Sequence, residues 1–183
     1  MKFLFVATVR SHIGQFHMPL IRALKAAGHT VHAAYRDNSA DKKGLDLSAI
    51  DQVFEIPFER SPYSPRNLLA YRKLKAVLDS GDYDIIHCHT PMGAMITRLA
   101  AAGARRRGTK VIYTAHGFHF HKGSSLFSWL AYYPVEWLLA HLTDVLLTMN
   151  REDYALAKSK FHAGEAEACS EYCCPGHSNA GTD

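Results

Sequence analysis

Lys2-Phe3-Leu4-Phe5-Val6-Ala7-Thr8 opens the chain as an apolar run of strand length, and the residues after it decide the architecture. Arg10-Ser11-His12-Ile13-Gly14-Gln15 is polar and is expected to be a loop. A helix signal comes next. Pro19 suits a first turn, Leu20, Ile21, Leu24 and Ala27 recur at helical spacing, and Gly28 closes the segment. Thr30 to Tyr35 predicts a second strand. Strand, helix and strand joined by short connections make a βαβ unit, which implies parallel strands and a right-handed crossover.

The same alternation continues outward. Residues 36–50 are polar and irregular, and Gln52 to Ile56 predicts a short third strand. Pro57, Pro62 and Pro65 punctuate a loop before a helix whose buried stripe is expected at Leu68, Tyr71, Leu74, Val77 and Leu78. Asp84 to His89 predicts a fourth strand, followed by a helix with Met92, Met95, Ile96 and Leu99 on one face. Lys110 to Ala115 and Asp144 to Met149 predict two more strands, and Asn150 with Asp153 caps a last helix running to about Phe161. Strands that are apolar throughout belong to a parallel sheet covered on both faces. The fold class is therefore α/β, a doubly wound, Rossmann-like sheet, expected over residues 1–162.

The composition fits a globular domain: of 183 residues, 48% are apolar and 21% charged. Net charge is only +4, and the basic residues are scattered apart from Arg105-Arg106-Arg107, which stand where a helix should end before Gly108. No aromatic residues interleave with them, so no nucleic-acid partner is expected. Met1 to Ala7 looks like half a signal peptide, but Thr8, Arg10, Ser11 and His12 interrupt it too early, and a cytoplasmic protein is expected. Cys88 sits alone inside an apolar strand, while Cys169, Cys173 and Cys174 crowd into the tail, so neither a disulfide framework nor a zinc knuckle is expected.

Open parallel sheets hold ligands beyond the carboxyl ends of their strands. Seven of the 12 histidines fall on that predicted edge or within two residues of it: His12, His17, His87, His89, His116, His119 and His121. The first loop has only Gly14, not the Gly-x-Gly-x-x-Gly of a dinucleotide site, and there is no Gly-Lys-Ser/Thr phosphate loop. Gly14 either lets a phosphate or sugar approach the backbone or is a plain turn glycine. His87, His89, His119 and His121 fit no standard zinc spacing and have no accompanying carboxylate, so no metal is expected. A histidine leaving a buried strand, as His116 does, can exchange hydrogen bonds with a sugar hydroxyl or phosphate near neutral pH. Leu126 to Leu142 is strongly aromatic and suits either a membrane surface or packing on the sheet.

The opening strand with Gly14, His87-Cys88-His89-Thr90-Pro91, Tyr113-Thr114-Ala115-His116-Gly117-Phe118-His119-Phe120, and Thr148-Met149-Asn150-Arg151-Glu152-Asp153 together resemble the amino-terminal half of family 4 glycosyltransferases. The likeness is strongest to bacterial enzymes of capsular and exopolysaccharide synthesis and covers about residues 1–165. It implies one half of a GT-B fold, in which two Rossmann-like domains face each other across a cleft. It further implies a nucleotide-sugar donor, a UDP-sugar, as substrate rather than cofactor, transfer with retention, and no obligatory metal. His116 then faces the cleft as the catalytic candidate. Gly14, Gln15, His89, Thr90, Gly117, Phe118, His119, Asn150 and Glu152 become the expected substrate contacts.

A glycan or polyprenyl-linked acceptor is implied, with peripheral contact at the inner membrane face through residues 126–142. Ala163 to Asp183 departs from the family pattern, and residues 163–183 are expected to be an irregular, non-native tail left by a frame shift or truncation near Glu167. The half is then expected to be inactive alone. The competing expectation is a non-catalytic subunit that binds acceptor or membrane for a separate catalytic chain. A nucleotide-sugar epimerase, sharing the two-domain fold, is a third.

Overall fold

The computed structural model describes residues 1–40, 44–118, 125–161 and 163–168. In chain order its elements are β1 (Lys2–Val9), α1 (Arg10–Phe16), α2 (Met18–Ala26), β2 (Thr30–Arg36), β3 (Gln52–Glu55), α3 (Arg66–Ser80) and β4 (Ile85–His89). Then follow α4 (Pro91–Ala100), α5 (Ala102–Arg106), β5 (Lys110–Ala115), α6 (Leu126–Ala140), β6 (Val145–Thr148), α7 (Arg151–Lys160) and β7 (Glu165–Ala168). All seven strands run parallel in the order β3-β2-β1-β4-β5-β6-β7. This is the doubly wound arrangement, and its order reverses between β1 and β4, where such sheets open a crevice.

Pleating sorts β1 between two cores. Leu4 and Val6 join a cluster with Leu74 and Leu78 of α3 and Ile96 of α4. Phe3, Phe5 and Ala7 point the other way, against Ile13 of α1 and Met18 and Ile21 of α2. Because β4 pairs Phe5 with His87, the side chains of His87 and His89 share the face that carries α1 and α2, and Cys88 points into the opposite core.

Three expectations are corrected. Arg10–Phe16 is helix α1, not a loop, and His17 then joins it to α2. It forms without an apolar repeat because Ser11 and Ile13 are buried and Asn38 bonds both the backbone N–H and the hydroxyl of Ser11 at 3.0 Å. Second, Glu165–Ala168 continues the sheet beside β6 where an irregular tail was expected, since an edge backbone needs only its neighbour's hydrogen bonds. Third, the buried stripe of α3 is Asn67, Ala70, Leu74 and Leu78, while Leu68 is exposed.

Helix α4 lies unusually close to β1. A Cβ on Gly93 would stand 3.0 Å from the Thr8 backbone nitrogen and 2.8 Å from the Thr90 hydroxyl. Helix propensity favours alanine over glycine by ~1 kcal/mol, but here the closest clash is with the Thr90 hydroxyl, tied to Thr8 by hydrogen bonds, and the backbone of Thr8 stands directly behind it. Gly93→Ala is therefore expected to destabilise the fold by about 1–3 kcal/mol, read as a lowered thermal midpoint. An unchanged or raised midpoint would show that α4 can shift.

Candidate functional site

The crevice between β1 and β4 is lined by the residues that leave the strands. Thr8, near the end of β1, and Thr90, just after β4, join their hydroxyls at 2.7 Å, and the Thr8 N–H donates to the Thr90 hydroxyl at 3.0 Å. Thr90 also donates to the carbonyl of His89. Its φ of 63° is left-handed, which a β-branched residue rarely adopts. Such strain persists where the surrounding structure holds it, and here the threonine pair does so at the start of α4.

Above β4 the imidazoles gather. His12 on α1 and His116 after β5 bring their Nε2 atoms to 3.2 Å. His17 stacks on His89 with ring centroids 3.7 Å apart, and His87 lies 4.1 Å from His89. Phe5 forms the apolar floor, 5.3 Å from His87 and 6.1 Å from His89. His87 bonds the Thr114 hydroxyl at 2.8 Å. His89 is fully buried with neither ring nitrogen hydrogen-bonded, and Nε2 of the buried His17 is likewise unbonded.

Burial dominates the electrostatics of this cluster. It lowers His17 to about 2, helped by the neighbouring His12, His87 and His116. It lowers His87 to about 3, with His116 adding to the effect. His12 falls to about 4 for the same two reasons, and His89 is pushed well below its ordinary value, again chiefly by burial. His116 is lowered by burial alone. The rings are therefore neutral at physiological pH, and each offers one N–H and one lone pair rather than a charge.

Beside the cluster lies a largely apolar cavity of about 720 Å³, bounded by Val9, His12, Met92, Met95, Tyr132 and Val135. Of the expected contacts, Thr90, Gly117 and Phe118 line it. His89 and His116 belong to the imidazole cluster beside it. Gly14 and Gln15 sit on α1, where Gly14 faces Leu45 so closely that an added Cβ would stand 2.9 Å from its side chain, rather than shaping a turn. Asn150 caps α7, accepting from the Asp153 N–H at 2.7 Å and donating to its carboxylate at 2.8 Å, and exposed Glu152 occupies the first turn. Asp153 in turn accepts from the Phe118 N–H at 3.2 Å, so the α7 cap holds the β5 loop in place. His119 and His121 lie outside the described residues, as do Cys169, Cys173 and Cys174.

Besides His87 inside β4, the cluster members the expected contacts omitted are His12 and His17. Their signal was their position directly after β1, but a polar segment read as loop gives no side-chain direction. Helix α1 supplies that direction.

The described part of the aromatic segment forms α6, with Pro134 inside it. Tyr133 stacks on Phe161 at 5.9 Å and Trp129 packs 5.7 Å from Tyr133, so one part of the helix rests on the core. Leu126, Leu130 and Leu138 remain exposed. No described helix is long and apolar enough to cross a membrane.

A sequence profile described as Glycosyltransferase Family 4 matches residues 18–168. Over 157 residues the chain is 51% identical to “Putative glycosyltransferase EpsD” of Bacillus subtilis (strain 168), a match covering 86% of this chain and 40% of that protein. The chain thus spans less than half the length of that relative. Among solved structures it is similar to the UDP-GlcNAc 2-epimerase of Methanocaldococcus jannaschii, with TM-score 0.62 and 14% identity over 92% of this chain and 45% of that one. It is also similar to Anabaena Alr3699/HepE, solved with UDP and glucose, with TM-score 0.60 and 19% identity over 92% of this chain and 43% of that one. At such identities these structures speak for the fold alone, which is one Rossmann-like unit of a two-unit architecture. With most of its sheet inside the matched region, the chain belongs to glycosyltransferase family 4.

Proposed function

We propose that this chain is the acceptor-side half of a retaining glycosyltransferase. It would serve transfer of a hexosyl or N-acetylhexosaminyl group from a UDP-sugar to a glycan or polyprenyl-linked acceptor in cell-surface polysaccharide synthesis. The observation that carries the reading is the apolar cavity of about 720 Å³ at the order reversal of the sheet, with neutral His12 in its wall and His116 directly behind it at 3.2 Å. Neutral rings donate to and accept from sugar hydroxyls without attracting solvent anions. Met92, Met95 and Tyr132 offer a surface for a sugar face or the first isoprene units of a lipid-linked acceptor. The exposed leucines of α6 suit peripheral contact with the cytoplasmic face of a membrane, where such an acceptor resides.

Catalysis of group transfer depends on orienting two substrates, and a single Rossmann-like half leaves the donor unheld. The isolated chain is therefore expected to bind acceptor and to turn over nothing. His116 is the catalytic candidate, placed at the exposed edge of the cluster to polarise a hydroxyl of the reacting sugar.

The test uses an intact two-domain relative carrying the same motif, assayed for UDP release that depends on a polyprenyl-diphosphate-linked acceptor. Changing the histidine equivalent to His116 by His116→Ala is expected to lower kcat about a hundredfold with the fold intact. Near-normal turnover would remove His116 from the chemistry. Absence of acceptor-dependent UDP release in the unaltered relative, across UDP-hexoses and UDP-N-acetylhexosamines, would overturn the reading.

A further inference from the structure

We propose that His12, His17, His89 and His116 form a binding site for one divalent transition-metal ion of the zinc class. The proposal shares His116 with the reading above but does not rest on it. Three separate parts of the fold supply the ligands: α1 with the residue after it, the end of β4, and the loop after β5. One ring nitrogen from each of the four lies within 4.8 Å of one from every other. Tetrahedral coordination at 2.0–2.1 Å sets ligand nitrogens about 3.3 Å apart. The His12–His116 pair, at 3.2 Å, already has that spacing. The remaining separations close by rotation of the stacked His17 and His89 rings, a change on the order of 1 Å.

The second observation is independent of proximity. Among the described residues, the buried side-chain nitrogens and oxygens left without a hydrogen-bond partner are three imidazole nitrogens: Nε2 of His17 and both ring nitrogens of His89. His89 is 0% exposed and His17 only 8%. Buried polar atoms are almost always satisfied, so the unpaired nitrogens of His17 and His89, two members of this close group, mark a place where a ligand belongs. His87 is excluded because its Nε2 is engaged with Thr114. His12 is half-buried and His116 exposed, which leaves a path for the ion to enter from the cleft.

The donor set selects the ion. Four neutral imidazoles with no carboxylate suit Zn²⁺, Co²⁺, Ni²⁺ and Cu²⁺, and are poor ligands for Mg²⁺ or Ca²⁺, which demand oxygen. His116, the exposed ligand, is the one that solvent or a bound molecule can displace, the pattern of a site with three fixed ligands and one exchangeable position. An ion here would pin α1, β4 and the β5 loop to one another along one side of the cavity.

The experiment takes the purified full chain, strips it with a chelator, and titrates it with Zn²⁺ by calorimetry and with Co²⁺ by visible absorption. The expected result is one equivalent of Zn²⁺ bound with Kd below about 1 μM, the visible bands of tetrahedral Co²⁺, and no heat with Mg²⁺. His12→Ala with His116→Ala, both reachable by solvent, is expected to weaken Zn²⁺ at least about tenfold while the stripped protein keeps its circular dichroism and Tm. His17→Ala with His89→Ala is expected to weaken it about a hundredfold. Replacing Cys169, Cys173 and Cys174 together by serine should leave binding unchanged. Substoichiometric binding, affinity unaltered in the His12/His116 variant, or binding lost with the tail cysteines would each overturn the proposal.

Discussion

Glu136→Ala is expected to cost the fold about 3–5 kcal/mol, because it strands a charge in the interior. Arg98, on α4, is only 1% exposed, and its guanidinium donates to both carboxylate oxygens of Glu136 on α6 at 2.9 and 3.0 Å. The same group donates from Nε to the Ala94 carbonyl at 3.2 Å and lies 4.1 Å from the Tyr113 ring centroid. These contacts hold it where water does not reach. Neutralisation offers no escape, since the pairing with Glu136 raises an already high pKa despite the opposing effect of burial.

The loss should appear as a lower urea midpoint at an unchanged m-value. Glu136→Gln keeps an acceptor and should lose less. Arg98→Met combined with Glu136→Leu removes both charges and should recover most of the stability, since apolar pairs replace buried ion pairs at little net cost. A loss below about 1 kcal/mol for Glu136→Ala would mean that Arg98 swings out through the neighbouring cavity, which Glu136 lines.

That ion pair was invisible in the sequence, where Arg98 is one cation among the apolar residues of a helix. The strands were legible for the opposite reason. A parallel strand buried on both faces must be apolar along its whole length, and β1, β4, β5 and β6 each announce themselves so. Their ends predicted where His89, Thr90 and His116 would meet. What escaped was anything set by tertiary contact alone. The segment Arg10-Ser11-His12-Ile13-Gly14-Gln15 has no helical period, and only the docking of Ile13 and the Asn38 bonds to Ser11 wind it into α1. With α1 unread, His12 and His17 had no direction, and Gly14 was expected either to admit a phosphate or sugar or to make a plain turn, not to lie on a helix against Leu45. The Glu-Ala-Glu-Ala run of β7 has no strand propensity and is ordered by pairing with β6.

The chelator-stripped chain is expected to lose stability on mild acidification, before its carboxylates begin to titrate. His17, His87 and His89 are at most 8% exposed and are held below their ordinary value by burial, His17 to about 2 and His87 to about 3. In the unfolded chain the same imidazoles take up protons near pH 6.5. Below that pH the unfolded state binds more protons than the folded one, so stability falls as pH falls and is unaffected above it. Each such histidine contributes a slope of up to ~1.4 kcal/mol per pH unit, so three together approach ~4 kcal/mol per unit. A domain stability of about 5–15 kcal/mol is then offset within about 1–4 units below pH 6.5, which puts the acid midpoint between about pH 3 and 5.

The carboxylates cannot produce this. Asp46, Asp51 and Asp144 are held below their ordinary value by hydrogen bonds and basic partners, so the stability they add is lost only as pH drops through and below about 4. Urea midpoints measured between pH 7.5 and 5 therefore isolate the histidines. His87→Leu should remove about one third of the slope, at a cost in stability at neutral pH from the unpaired Thr114 hydroxyl. A midpoint that stays flat from pH 7 to 5 would show that water reaches these rings, and with it that the floor of the cleft is wet rather than sealed by Phe5.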